Sequence, residues 1–81
     1  MIEVRYEKEK NRSAAYDGDK LVGECDYEVG PDGWTVFHTE TDPAYGGQGI
    51  ARRLVMSVAG RAAEAGVRLG STCSYATKVL G

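Results

Sequence analysis

The sequence predicts one α+β domain over residues 1–81: an antiparallel four-strand meander, a long helix, a fifth strand parallel to the fourth, and a short C-terminal helix. Three observations predict it. Apolar and polar residues alternate with period two through the first forty-odd positions, and turn-forming glycines interrupt the alternation. From Ile50 the apolar spacing changes to three and four, which marks one face of a helix. After Gly66 a short extended run and a second helical stretch complete the chain.

Ile2 to Glu9 opens the meander, with Ile2, Val4 and Tyr6 set against Glu3, Arg5 and Glu7. A turn at Asn11-Arg12 leads into a short strand from Ser13 to Tyr16. Asp17-Gly18-Asp19 is a hairpin signal, because Asp-Gly tolerates the positive φ angles that tight turns need. Leu21 to Val29 then places Leu21, Gly23, Cys25, Tyr27 and Val29 on one face. Gly30-Pro31-Asp32-Gly33 turns the chain into a fourth strand, Trp34 to Thr41. Alternation there sets Trp34, Val36, His38 and Glu40 on one side and Thr35, Phe37, Thr39 and Thr41 on the other. Ile50, Ala51, Leu54, Val55, Val58, Ala59 and Ala62 form the apolar face of a helix of roughly five turns. Gly60 within it costs helix propensity and is expected to mark a close helix–sheet contact, and Gly66 is the stop. Val67 to Ser71 is the fifth strand, and Ser74 to Leu80 forms two helical turns. A strand–helix–strand crossover makes the fourth and fifth strands parallel neighbours.

Composition narrows the function. Hydrophobic residues are 42%, charged residues 27%, and the net charge is −2, so the chain is ordinary globular protein with no electrostatic basis for nucleic-acid binding. Apolar runs are a few residues long, too short to span a membrane. Met1-Ile2-Glu3 lacks the basic start and apolar stretch of a signal peptide, which points to a cytoplasmic protein. Two cysteines and one histidine make neither a disulfide scaffold nor a zinc-ligand set, so no metal site is expected. Glycine is abundant, 11 of 81 residues, against a usual share of ~7%.

Three of those glycines cluster in Gly46-Gly47-Gln48-Gly49-Ile50-Ala51, between the fourth strand and the helix. Without Cβ atoms the backbone can curl so that successive N–H groups point inward, and a phosphate can approach closely. The helix behind the loop adds unpaired N–H donors and the positive end of its dipole. Arg52 and Arg53 fall in the first helical turn, against the dipole's preference, which an anion nearby would offset. A plain flexible turn explains the glycines equally well. Neither common nucleotide fingerprint fits: no Gly-Lys-Ser/Thr follows the loop, and no Gly-x-Gly-x-x-Gly follows the first strand.

The stretch Asp42-Pro43-Ala44-Tyr45-Gly46-Gly47-Gln48-Gly49-Ile50-Ala51-Arg52-Arg53-Leu54 resembles the acetyl-CoA signature of the Gcn5-related N-acetyltransferases, Arg/Gln-x-x-Gly-x-Gly/Ala. Gly49 and Ala51 match its last two defined positions, and Gly46 stands where the signature has Arg or Gln. With Phe37-His38-Thr39-Glu40 and Thr72-Cys73-Ser74-Tyr75, the chain looks like a member of the minimal branch of that superfamily, from about Tyr16 to Leu80. The resemblance implies that the fourth and fifth strands splay apart, with the pantetheine arm of acetyl-CoA in the gap. It implies pyrophosphate on the Gly46, Gly47, Gln48, Gly49, Ile50 and Ala51 backbone with Arg52 nearby, and the acyl carbonyl near Glu40 and Thr41.

Four side chains are candidates for the chemistry. Cys73 sits at a strand end next to a helix start, where a thiol ionises more readily, and in the resembling branch a Cys here has been considered as an acyl acceptor. A small packed residue is the competing explanation. Cys25 alternates onto the apolar face and belongs to the core. His38 shares a face with Trp34 and Val36, which suits a satisfied core histidine, while its place near the cofactor end suits a general base. Glu40 could orient that imidazole or simply be solvated. Tyr75 stands where the superfamily often carries a tyrosine that protonates the departing CoA thiolate, and packing is again the competitor. The expected function is acetyl transfer from acetyl-CoA to an amine acceptor, directly or through Cys73. A CoA-binding or interaction module of the same fold, without efficient turnover, is the alternative.

Overall fold

The computed structural model describes residues 1–81. A five-stranded sheet in the order β1 (Ile2–Glu7), β2 (Arg12–Asp17), β3 (Lys20–Gly30), β4 (Gly33–Thr41), β5 (Leu69–Ser71) carries helices α1 (Ile50–Ala65) and α2 (Ser74–Leu80). β1 to β4 pair antiparallel in sequence order, and β5 adds to β4 in parallel, as the crossover requires. The first strand ends two residues earlier than alternation suggests. Lys8–Lys10 is a 3-10 turn that closes on Asn11 in the left-handed region, and no apolar side chain there rewards further pairing. β5 is also shorter: Arg68 O accepts from Trp34 N–H at 2.8 Å, but the strand itself covers only Leu69–Ser71.

α1 lies across one face of the sheet. Ile50, Leu54, Val55 and Val58 interlock with Ala15, Val22, Cys25, Tyr27, Val36 and, from α2, Ala76 to form the core. The close approach depends on Gly23 in β3, not on Gly60. A Cβ on Gly23 would stand 3.1 Å from Leu54 Cδ1 and 3.0 Å from Glu40 O, whereas Gly60 is exposed and faces open space. The opposite face of the sheet is polar, with Arg12 donating to Glu7 Oε1 at 2.7 Å and lying 3.8 Å from Glu24. No helix is long and apolar enough to cross a membrane.

Two extra residues interrupt the alternation. Ala15 pairs with Gly23 but Tyr16 with Leu21, so Val22 bulges; it is buried and Leu21 is exposed. Tyr27 pairs with Val36 but Asp26 with His38, so Phe37 is an extra residue on β4 and stands 51% exposed. A bulge shifts the phase of every side chain beyond it. Trp34 and Val36 therefore face the helix, while His38 and Glu40 pair across from Asp26 and Glu24 on the open face. The expected sharing of one face by these four residues is thus corrected, and His38 is not a core histidine.

Candidate functional site

The site grows out of the Phe37 bulge. Before it, β4 is paired on both edges; Thr72 N–H donating to Val36 O at 2.9 Å is the last backbone link toward β5. Beyond it, β4 keeps only β3. Asp42 N–H donates to Val22 O at 2.8 Å, and Glu40 O lies against Gly23, so both residues turn their backbone to β3. Strand alternation then directs the backbone of Thr39 and Thr41 to the unpaired edge. Of the expected pair Glu40 and Thr41, only Thr41 offers its backbone there, and Thr39 joins it.

The glycine loop stands at the end of that edge. Asp42 caps the 3-10 turn Pro43–Tyr45 by accepting from Ala44 N–H at 2.9 Å, and Tyr45 donates to Asp17 Oδ2 at 2.6 Å, tying the loop to the β2–β3 hairpin. That hydrogen bond holds the Asp17 carboxyl below its ordinary pKa. Gly47 and Gly49 take φ of +77° and +74°, which L side chains rarely adopt, and a Cβ on either would point into open space. Gly49 begins α1 with no side-chain cap, and no acidic residue lies in the first turn. Arg52 and Arg53 are exposed and form no ion pair, so nothing in the chain answers the positive end of this helix.

Thr41, Tyr45, Gly46, Gly47, Gly49, Ile50, Ala51 and Tyr75 line a cavity of about 190 Å³. The Thr41 hydroxyl is buried there without a hydrogen-bond partner. An unpaired buried hydroxyl is costly unless something completes it. The residues present thus fit a ligand with polar groups along the edge and negative charge at the loop. Ile50 also belongs to the core, where its side chain is buried, and the exposed Gln48 does not line the cavity.

Cys73 packs at the open edge of β4, where the chain leaves β5 for α2. Its N–H donates to Ser71 Oγ at 3.1 Å, and its thiol lies 3.6 Å from Thr39 Oγ1. Burial opposes ionisation, but hydrogen bonds from the N–H groups of Ala76, Tyr75 and Thr39, together with the hydrogen bond shared with the Thr39 side chain, outweigh it and bring the thiol below its ordinary pKa. Cys25 is its opposite: burial pushes that thiol up to about 11. Both cysteines are free.

His38 and Glu40 form a second group across the strand. His38 Nε2 and Glu40 Oε1 are 3.1 Å apart and well exposed. Asp26 faces His38 from β3, and burial together with the neighbouring Glu24 raises its carboxyl to about 7. A hollow of about 260 Å³ is lined by Glu24, Glu40 and Asp42 among others. The predicted residues therefore divide into three groups: Thr41, the loop and Tyr75 around the cavity; Cys73 beside Thr39; and His38 with Glu40 on the far face. Sequence reasoning missed Thr39, Tyr45 and Asp26. The slip at Phe37 shows only in the strand pairing and in that side chain's exposure.

A mixed sheet opened at a bulge in its fourth strand, with an uncapped glycine-lined helix beside the opening, defines an acetyltransferase-type α+β domain. The family model for GCN5-related N-acetyl-transferases matches residues 5–81, and the chain belongs to that family. A GCN5-like protein from Staphylococcus aureus, solved by NMR, superposes with a TM-score of 0.72 at 25% identity, over 96% of this chain and 76% of its own. A GCN5-related N-acetyltransferase from Sphaerobacter thermophilus gives 0.70 at 23% identity, over 76% of this chain and 21% of its own. Diaminobutyrate acetyltransferase from Paenibacillus lautus, solved with its substrate and coenzyme A, gives 0.67 at 20%, over 88% of this chain and 45% of its own. The last two likenesses concern the fold. The chain thus spans about a fifth of the Sphaerobacter protein and under half of the Paenibacillus enzyme. No protein of curated function matches the sequence.

Proposed function

We propose that this chain is an N-acetyltransferase domain that takes an acetyl group from acetyl-CoA and delivers it to an amine. The observation that carries the proposal is the opened edge of β4 running into the glycine loop, where the Thr41 hydroxyl is buried without a partner. The N–H groups from Gly46 to Ala51, with Arg52, would hold the pyrophosphate, and the Thr39 and Thr41 backbone and the Thr41 hydroxyl would hold the polar groups of the arm. Acetyl-CoA, when bound, supplies a thioester carbonyl open to attack by an amine. Tyr75, on the cavity wall, donates a proton to the departing sulfur. His38, oriented by Glu40, takes the proton that the amine must lose. Glu24 and Glu40 draw a cationic amine to the open face. Two free cysteines suit a reducing compartment, and we place the protein in the cytoplasm.

One observation favours a covalent variant. The Cys73 thiol is held below its ordinary pKa beside the same edge, so its thiolate could accept the acetyl group and pass it to the amine. The test uses acetyl-CoA with a panel of primary amines and follows release of the CoA thiol. Amine-dependent release is expected, and Gly49→Val should weaken CoA binding at least tenfold, about 1.4 kcal/mol, with the fold retained. Acetylation of wild-type protein without amine, lost in Cys73→Ala, selects the covalent variant. CoA binding with no amine-dependent release leaves a binding module, and absence of CoA binding overturns the proposal.

A further inference from the structure

Thr39 is hydrogen-bonded to both cysteines. Its Oγ1 lies 3.6 Å from Cys73 Sγ and 3.7 Å from Cys25 Sγ. The Phe37 bulge puts it there. Without the extra residue, the phase of β4 would turn Thr39 to the open face and His38 inward. In the neutral arrangement the Cys73 thiol donates to Thr39, and the Thr39 hydroxyl donates onward to Cys25.

We propose that Thr39 is a positioning residue for Cys73, its hydroxyl rotating from Cys25 to donate to the Cys73 sulfur when that thiol loses its proton. The rotation is inexpensive because Cys25 Sγ is a weak acceptor and the bond left behind is correspondingly weak. A hydroxyl donating to an ionised acceptor makes the stronger bond. The thiol proton passes to solvent at the open edge of β4, so no other reactant is needed. The remaining ionisable groups nearby are the Cys25 thiol on β3 and Tyr75 on α2. His38 and Glu40 leave β4 on the opposite face, and α1 turns the apolar Ile50, Leu54, Val55 and Val58 to this part of the core. The inference deepens the covalent variant above and rests on it for its purpose, but its test does not use acetyl-CoA.

The test is the pH profile of iodoacetamide alkylation at Cys73, read by peptide mass in the intact chain so that Cys25 is scored separately. Thr39→Val keeps the branched shape and removes the hydroxyl; Thr39→Ser keeps the hydroxyl. Thr39→Val should move the alkylation midpoint upward and slow the reaction at pH 7 about threefold, lost thiolate being partly offset by the greater nucleophilicity of a more basic thiol. Thr39→Ser should restore the wild-type profile. A Thr39→Val profile superimposed on wild type overturns the proposal, as does an equal shift in Thr39→Ser, which would mark packing and not the hydroxyl. If Thr39→Val does not fold, Thr39→Ala carries the same comparison. A failed acetyl-transfer assay leaves this outcome readable, so the two ideas fall separately.

Discussion

Asp26 shows how the open face bears on stability. Burial is the largest cause of its raised pKa, the neighbouring Glu24 adds to it, and His38 and Arg12 only partly offset them. The folded carboxyl titrates at about 7 against an ordinary value of 3.8, so between those limits the folded state holds a proton that the unfolded chain has released. Stability from this group is therefore present in full below about pH 4 and is lost as the pH rises through about 7. Glu7 works in the other direction. Its hydrogen bond from Tyr16 lowers its pKa, so its contribution is lost as the pH falls. Asp26→Asn should raise the melting temperature at pH 8 and give little gain at pH 4, measured by thermal melts at the two values. An equal effect at both would show that Asp26 is not held protonated. His38 illustrates what alternation could not reveal. Its neighbours in the sequence suggest a core face, and only the phase slip at Phe37 brings it beside Glu40 and opposite Asp26.

At the scale of elements, what was legible follows from periodicity. The helix over Ile50–Ala65 begins and ends where its spacing and Gly66 place it, because one apolar stripe of Ile50, Leu54, Val55, Val58 and Ala62 must be buried. The crossover makes β5 parallel to β4 without any knowledge of side-chain contacts. The bulges at Val22 and Phe37 were not legible, since an added residue leaves composition and turn signals untouched and alters only the pairing. Nor was the close approach of α1. Period alone gives no depth of packing, so the sequence points to Gly60 while the contact falls at Gly23. Gly23→Ala is the corresponding prediction. Its new Cβ would press on Leu54 Cδ1 and the Glu40 carbonyl, 3.1 and 3.0 Å away. Overpacking of this kind costs about 1–3 kcal/mol, which urea unfolding would register as a lower midpoint with an unchanged slope. Stability equal to wild type would mean that the helix does not rest on β3 at this point.

On the scale of the whole molecule, 81 residues form a sheet covered on one side by two helices and polar on the other. The sheet divides the work. Its helical side holds the core, the cavity beside Thr41 and the thiol of Cys73, while its open side carries His38, Glu40, Glu24 and Asp26. The β4 edge beyond the bulge lies between the two sides, and a cofactor placed along it would reach both. Titrating the ¹⁵N-labelled protein with coenzyme A and following its amide resonances reads that edge residue by residue. The amides of Thr39, Thr41, Gly47, Gly49, Ile50 and Ala51 should shift together and saturate, while those of β1 and β2 stay in place. Shifts confined to other surfaces, or none at millimolar coenzyme A, would contradict it.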